Sequence, residues 1–182
     1  AGAITGGRVK AVNTQPENLQ SVINKLRHAN VEVTVEENGD VIADATDNVL
    51  EPVDIVTMPY PGFPTDMQAQ FMALMTLADG TSTIKETIFE DRFMHVLELE
   101  RFGADIKIDG NTVAVHGINE LSGAPVMATD LRASAALVLA GLAAEGQTDV
   151  RRIYHLDRGY EDLEKKLRGL GATLSRAEAE GP

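Results

Sequence analysis

The sequence predicts an α/β fold assembled from repeated βαβαββ units, and three features carry that prediction. First, one helix-to-strand junction occurs three times: KLRHANVEVTV (25–35), ELERFGADIKI (98–108) and KLRGLGATLSR (166–176). In register, Leu26, Leu99 and Leu167 coincide, and four residues later so do Asn30, Gly103 and Gly171. Gly, with Asn as its usual substitute, belongs where a helix ends on a left-handed residue, so the three junctions read as copies of one unit. Second, FPTDMQAQFMALMTLADGTSTI (63–84) echoes MATDLRASAALVLAGLAAEGQTDV (127–150). Each has Thr-Asp, an apolar helical stretch, a Gly and a strand-like run. Third, Asn38-Gly39 and Asp109-Gly110 each separate two alternating apolar runs, the pattern of a β-hairpin.

Each element follows from local pattern. Thr14 and Glu17 have capping-box spacing with Pro16 early, and Leu19, Val22, Ile23 and Leu26 supply a buried stripe. Val31, Val33 and Val35 alternate before Asn38-Gly39, and Val41 and Ala43 follow it. Thr65 and Gln68 again have capping-box spacing, with Asp66 in the first turn. Met67, Phe71, Leu74 and Ala78 recur at helical spacing, but Met72, Met75 and Leu77 widen the stripe. The stretch Ala135 to Ala144 is apolar nearly all round, as in helices buried on most sides. Ile106 and Ile108 lead into Asp109-Gly110, and Val113 and Val115 return. Tyr160, Leu163, Leu167 and Leu170 mark a last helix, ahead of a loose tail at Ala177–Pro182. The chain reads as one α/β domain, 1–182, with units near 1–50, 51–117 and 118–182. The first unit lacks its opening βα and the last lacks a clear final hairpin.

Composition narrows the function classes. Hydrophobic residues make up 43% and aromatics 4%, so Leu, Val, Ile, Ala and Met must form the core of a soluble globular domain. No apolar run approaches the ~20 residues of a membrane span, and the N-terminus has no secretory pattern. The absence of an initiator Met suggests a trimmed or internal start. Without Cys there is no disulfide, thiolate metal site or Cys nucleophile. A cytoplasmic location is the plain expectation. The formal charge of −12 argues against a nucleic-acid binder. It does not prevent a local Arg cluster from holding an anion, because long-range charge is screened beyond roughly 8–10 Å. No His has a partner at metal-ligand spacing, and no phosphate-cradling Gly loop or dinucleotide fingerprint is present, so neither metal nor cofactor is expected.

Four segments carry a resemblance: PYPGFPTDMQAQF (59–71), ETIFEDRFMHVLEL (86–99), SGAPVMATDLRASAALVLAGLAAEG (122–146) and RIYHLDRGYEDLEKKLRGLGA (152–172). They resemble the UDP-N-acetylglucosamine 1-carboxyvinyltransferases, a family of enolpyruvyl transferases. The likeness spans essentially the whole chain and corresponds to the C-terminal lobe of a two-lobed enzyme. The resemblance implies a lobe of an inside-out α/β barrel, helices within and sheets outside, whose opening segment comes from the N-terminus of the full chain. It also implies transfer of the enolpyruvyl group of phosphoenolpyruvate to the 3-hydroxyl of UDP-N-acetylglucosamine, the first committed step of peptidoglycan synthesis. A mobile-loop Cys and an N-terminal Lys would lie in the missing lobe, so this chain alone is expected to be inactive. The alternatives are a 3-phosphoshikimate 1-carboxyvinyltransferase-like lobe and a non-catalytic nucleotide-sugar-binding module.

Seven residues are candidates. From the residues alone, Asp66 and Asp130 read equally as acids at helix N-termini, favoured there by the helix dipole. Arg92, Arg132 and Arg158 read as surface residues, although Arg92 and Arg158 recur just after echoed strands, and Arg suits phosphate and carboxylate. Ile88 and Phe89 read as strand-end or core residues. The resemblance implies more. Asp66 matches the carboxylate that contacts the acceptor hydroxyl and acts as general base, and Asp130 a residue near the enolpyruvyl group. Arg132 and Arg158 match residues that bind phosphoenolpyruvate, and Arg92 one that supports the site. Ile88 and Phe89 match positions lining the uridine pocket, by backbone contact and ring packing. The chain departs from the family pattern at Asp91 (usually Asn), Leu97 (usually Pro) and Asn30 (commonly Gly); Asp91 is expected to weaken anion binding beside Arg92.

Overall fold

A computed structural model describes residues 1–177, and the tail expected at the C-terminus lies, from 178 onward, outside the described residues. Among the described residues nine strands form three sheets. β1 (Arg8–Ala11), β2 (Glu32–Val35) and β3 (Val41–Asp44) make an antiparallel sheet in the order β1-β3-β2. β4 (Ile55–Val56), β5 (Thr81–Lys85), β6 (Asp105–Asp109) and β7 (Thr112–His116) pair in the order β4-β5-β7-β6, with β4 parallel to β5 and the rest antiparallel. β8 (Pro125–Met127) and β9 (Asp149–Arg151) pair in parallel. The α-helices among the described residues are α1 (Gln20–His28), α2 (Gln68–Met75), α3 (His95–Arg101), α4 (Leu131–Ala143), α5 (Tyr154–Asp157) and α6 (Leu163–Gly169).

The sequence echo becomes a structural one. A parallel strand pair brackets each apolar helix: β4 and β5 around α2, β8 and β9 around α4. All eight residues of α2 are buried, and the helix packs against α4, β5 and β7. α4 begins at Leu131, four residues before the expected start, and none of its residues is fully exposed. The strands keep an outer, wetter face: β5 buries Ser82 and Ile84 while Thr81, Thr83 and Lys85 stay exposed. For α2 and α4, helix inside and sheet face outside is therefore the arrangement found, whereas α1 and α6 each bury a single residue. Ile106, Val113 and Val115 are buried, but Ile108, expected to alternate inward, is 49% exposed beside the turn of its hairpin.

The three junction residues are left-handed as expected: Asn30 at φ 62°, Gly103 at 92° and Gly171 at 98°. The third does not lead into a strand; residues 172–177 are irregular. The hairpin turns also form, with Gly39 and Gly110 at positive φ, although the residues between β6 and β7 are Gly110 and Asn111.

Several local expectations fail for identifiable reasons. Neither capping box forms. The Thr14 hydroxyl donates to the Gly39 carbonyl, and the Thr65 hydroxyl is drawn to Glu86. Both helices instead begin as one turn of 3-10 helix, Pro16–Leu19 and Thr65–Met67. In the first stripe only Ile23 is fully buried; Val22 and Leu26 are half-buried and Leu19 is exposed. Tyr160 precedes α6, and Leu170 is 58% exposed, so the last stripe reduces to Leu163 and Leu167.

Gly117 sits where the chain crosses the end of α2: its N–H donates to the Gly80 carbonyl, and a Cβ there would fall on the Ala78 carbonyl. Gly117→Ala should therefore cost at least the roughly 1–3 kcal/mol of an overpacked core, because backbone rather than a side chain must yield; urea unfolding measures it. His95, the first residue of α3, is 3% exposed and its Nε2 lacks a hydrogen-bond partner among the described residues. Burial pushes its pKa down to about 4, with Asp130 opposing and Arg92 assisting. Unfolding restores an ordinary imidazole near 6.5, so between pH 6.5 and 4 the unfolded chain binds the extra proton and stability falls as pH drops. That gap corresponds to roughly 3 kcal/mol. The loss between pH 7 and 4 should be smaller by about that amount in His95→Gln than in the parent chain, in urea titrations across pH.

Candidate functional site

The site gathers where α2 and α4 begin, beside the loop after β5. Asp66 lies in the 3-10 turn ahead of α2 with a carboxylate 53% exposed. Because this turn uses no side-chain cap, both oxygens are free to reach across to cations. Arg132 Nη2 donates to Asp66 Oδ2 at 2.8 Å, and Arg92 Nη2 approaches Asp66 Oδ1 at 3.4 Å. The Arg132 bond is the main reason the Asp66 carboxyl sits below its usual pKa; partial burial opposes it and the charges of both Arg assist. So exposed a pair adds little to stability, typically about 0–1 kcal/mol. Its consequence is orientation: three side chains from separate elements are aimed at one point.

Asp130 occupies the echoed position with a different geometry. The chain between β4 and α2 is long, whereas only Ala128, Thr129 and Asp130 separate β8 from α4. Asp130 is extended (φ −153°, ψ 178°), and its Oδ1 accepts from the Arg132 and Ala133 amides at 2.8 Å each. It is a side-chain N-cap, and through it the helix that carries Arg132 is fixed. Asp130 thus turns its carboxylate to the helix terminus, while Asp66 is turned out to the guanidinium groups.

Ile88 and Phe89 lie in the loop after β5, 36% and 55% exposed. Their amides are already committed: Glu86 Oε1 accepts from Ile88 N at 2.8 Å and from Phe89 N at 3.2 Å. Any backbone contact from Ile88 to a ligand therefore has to use its carbonyl. The Arg92 guanidinium lies 4.8 Å from the centre of the Phe89 ring, a cation–π geometry, and Phe89 remains more than half exposed. Met58, Pro59, Tyr60, Pro64, Ile88 and Phe89, with Thr65 and Asp66, line a groove of about 420 Å³. A groove of similar size beside Arg27 and Asn30 shares no lining residue with this one, and its Arg27 is spent on the Val33 carbonyl.

Arg158 is not drawn into the cluster. It is exposed at the end of α5 and makes no ion pair or side-chain hydrogen bond among the described residues. Its loop is nonetheless tethered to the site. Two residues on, the Tyr160 hydroxyl meets Arg132 Nη1 at 3.3 Å and Gln70 Nε2 at 3.1 Å, and Arg132 lies 5.8 Å from the Tyr160 ring centre. Asp91 makes no ion pair with Arg92; Arg92 turns its guanidinium to Asp66 and Thr65.

Four participants escaped the sequence reading: Glu86, Thr65 as a side-chain donor, Tyr160 and Gln70. For Glu86 a signal existed. The alternation that buries Ser82 and Ile84 continues to position 86, so an acid stands on the buried face of the strand register. Tyr160 offered none, because its Gln70 partner is 90 residues away in sequence. Among the described residues no three His, Cys, Asp or Glu come together as a metal site, and no helix is long and apolar enough to cross a membrane.

The chain resembles known proteins throughout. It is 61% identical over 178 residues to the UDP-N-acetylglucosamine 1-carboxyvinyltransferase of Geotalea uraniireducens, covering 98% of this chain and 42% of that protein. It is 58% identical to the protein of the same name from Actinobacillus succinogenes, again covering 42% of it. The chain thus spans less than half the length of these relatives. Among solved structures, the enolpyruvyl transferase NikO from Streptomyces tendae aligns with TM-score 0.78 at 35% identity, over 85% of this chain and 36% of that one. EPSP synthase from Acinetobacter baumannii aligns with TM-score 0.67 at 19% identity over 97% of this chain, a likeness of fold alone. Residues 1–167 match the family described as EPSP synthase (3-phosphoshikimate 1-carboxyvinyltransferase), and the chain belongs to that family.

Proposed function

We propose that this chain is the C-terminal lobe of a transferase that moves the enolpyruvyl group of phosphoenolpyruvate to the 3-hydroxyl of UDP-N-acetylglucosamine, releasing phosphate, in peptidoglycan synthesis in the cytoplasm. The observation that carries the reading is Asp66 clasped by Arg92 and Arg132 beside the Ile88–Phe89 groove. The names of the relatives near 60% identity support the acceptor. We further propose that the lobe comprises units at 1–50, 51–117 and 118–182; that each sheet falls within one of these ranges supports this division.

In this reading uracil packs on Phe89, the Ile88 carbonyl meets the nucleotide, and the sugar 3-hydroxyl reaches Asp66. A carboxylate held below its usual pKa is too weak to ionise an alcohol in advance. It accepts the proton as the new C–O bond forms, when the hydroxyl becomes acidic. Arg132 and Arg158 bind the phosphate and carboxylate of phosphoenolpyruvate. An anion on Arg132 competes with Asp66 for the guanidinium and so returns basicity to Asp66 at the moment both substrates are present. Arg92 keeps Asp66 aimed, and Asp130 fixes Arg132 through the α4 cap. The other lobe supplies the remaining phosphate ligands and the acid.

Two measurements test this. The 182-residue chain alone should release no phosphate from the two substrates, while the chain combined with the complementary lobe of the Geotalea uraniireducens relative should. In that assembly Asp66→Asn should lower kcat by about 10²–10⁴, the usual worth of a positioned base, with UDP-N-acetylglucosamine still bound. Turnover by the isolated chain, or protection of the assembly by shikimate-3-phosphate but not by UDP-N-acetylglucosamine, would sink the proposal.

A further inference from the structure

We infer that Glu86 is the positioning residue of this site, fixing the Ile88–Phe89 loop with one carboxylate oxygen and Arg92, through Thr65, with the other. The inference rests on the function proposed above.

Glu86 is 2% exposed, and an unpaired carboxylate could not persist there. Its two oxygens are fully and separately employed. Oε1 accepts from the Thr57 hydroxyl at 2.7 Å and from the Ile88 and Phe89 amides. Oε2 accepts from the Thr65 hydroxyl at 2.9 Å. Burial pushes the Glu86 carboxyl up, but the bonds from Thr57, Ile88, Thr65 and Phe89 together outweigh it, so the group is ionised.

An ionised carboxylate only accepts, and this sets the polarity of everything attached to it. Thr65 must point its proton at Glu86, which leaves only lone pairs for Arg92; Arg92 Nη1 donates there at 2.7 Å. With Nη1 anchored, Nη2 is left facing Asp66 and the guanidinium lies over the Phe89 ring, whose own amide is held by the same carboxylate. One buried charge therefore sets both members of the Phe89–Arg92 stack and the aim of the second cation on Asp66. A Gln at 86 separates the two functions. Its amide oxygen serves at the Oε1 position, where three donors converge. Its NH₂ then faces Thr65, which must turn its proton elsewhere and loses its fixed orientation towards Arg92.

The test has two arms. In this chain by itself, Glu86→Ala should speed amide hydrogen exchange at Ile88 and Phe89 at least tenfold, while Glu86→Gln changes it less than threefold. Separate Arg92 Nη–H nuclear magnetic resonance signals should collapse in Glu86→Gln and Thr65→Val but persist in Thr65→Ser. Unchanged exchange in Glu86→Ala, or persistence of the Arg92 signals in Glu86→Gln, overturns the inference; if Glu86→Ala does not fold, the Gln and Thr65 variants decide it. In the assembly with the complementary lobe, Glu86→Gln and Thr65→Val should each lower kcat at least tenfold with KM for UDP-N-acetylglucosamine within threefold. Thr65→Ser should restore the rate to within threefold, and the double variant should be no worse than the poorer single one. Additive losses, or equal changes in kcat and KM, contradict a positioning role. A parental assembly that turns nothing over counts against the proposed function, and the exchange and resonance arm then decides the role of Glu86 by itself.

Discussion

The structure depends on α2 having no outward face. Eight residues long, Gln68 to Met75, it is far below the length at which a helix holds in water, and only burial on every side sustains it. Burying Phe71, Met72, Leu74 and Met75 contributes on the order of 6–12 kcal/mol at about 1.5–3 kcal/mol each, an upper figure for area of this kind. That gain requires α4 on one side and β5 and β7 on another, which is the arrangement found. The two polar residues of α2 then need partners inside. Gln68 donates to the Arg92 carbonyl and Gln70 to the Tyr160 hydroxyl. Both partners belong to the loops that form the site, so the same packing that stabilises the helix anchors the loops carrying Arg92 and Arg158.

Charge at the site is organised by depth. Glu86 is buried and surrounded by donors, so it acts on orientation rather than on ligands. Asp66 is more than half exposed and paired with cations on two sides. Asp130 lies between, spent on a helix N-terminus. Three carboxylates in one neighbourhood thus have three tasks, and what separates them is which donors the backbone presents to each. A chain of charge −12 thus still gathers two guanidinium groups around one exposed carboxylate, while Glu86 is buried beneath them.

Two departures from the family pattern become intelligible through the backbone. Asn30 and Asp91 both have left-handed φ, 62° and 53°. Asn and Asp are the non-glycine residues that tolerate that region best, so Asn for Gly and Asp for Asn preserve the turn in each case. The charge at Asp91 does not reach Arg92 as an ion pair. Leu97 lies 66% exposed within α3, where losing a Pro removes no contact the helix needs.

The sequence by itself determined the α/β class, the left-handed junctions at Asn30, Gly103 and Gly171, the hairpins, and the two apolar helices, because each is a local pattern of period, turn chemistry or composition. It also singled out Asp66, Arg92 and Arg132, though it left them divided between helix-end or surface roles and a shared site. Only the tertiary structure shows that the three side chains meet. Asp66 and Asp130 have the same local signature, and the length of chain before each helix, together with what stands opposite, makes one a helix cap and turns the other to two Arg. Glu86 and Tyr160 depend on partners brought close by folding, up to 90 residues away. Capping boxes failed for the same reason: the Thr hydroxyls that should have closed them found better acceptors across the fold. Local pattern fixes which elements form, but the partner of a polar side chain is a matter of three-dimensional proximity, and that is set by packing.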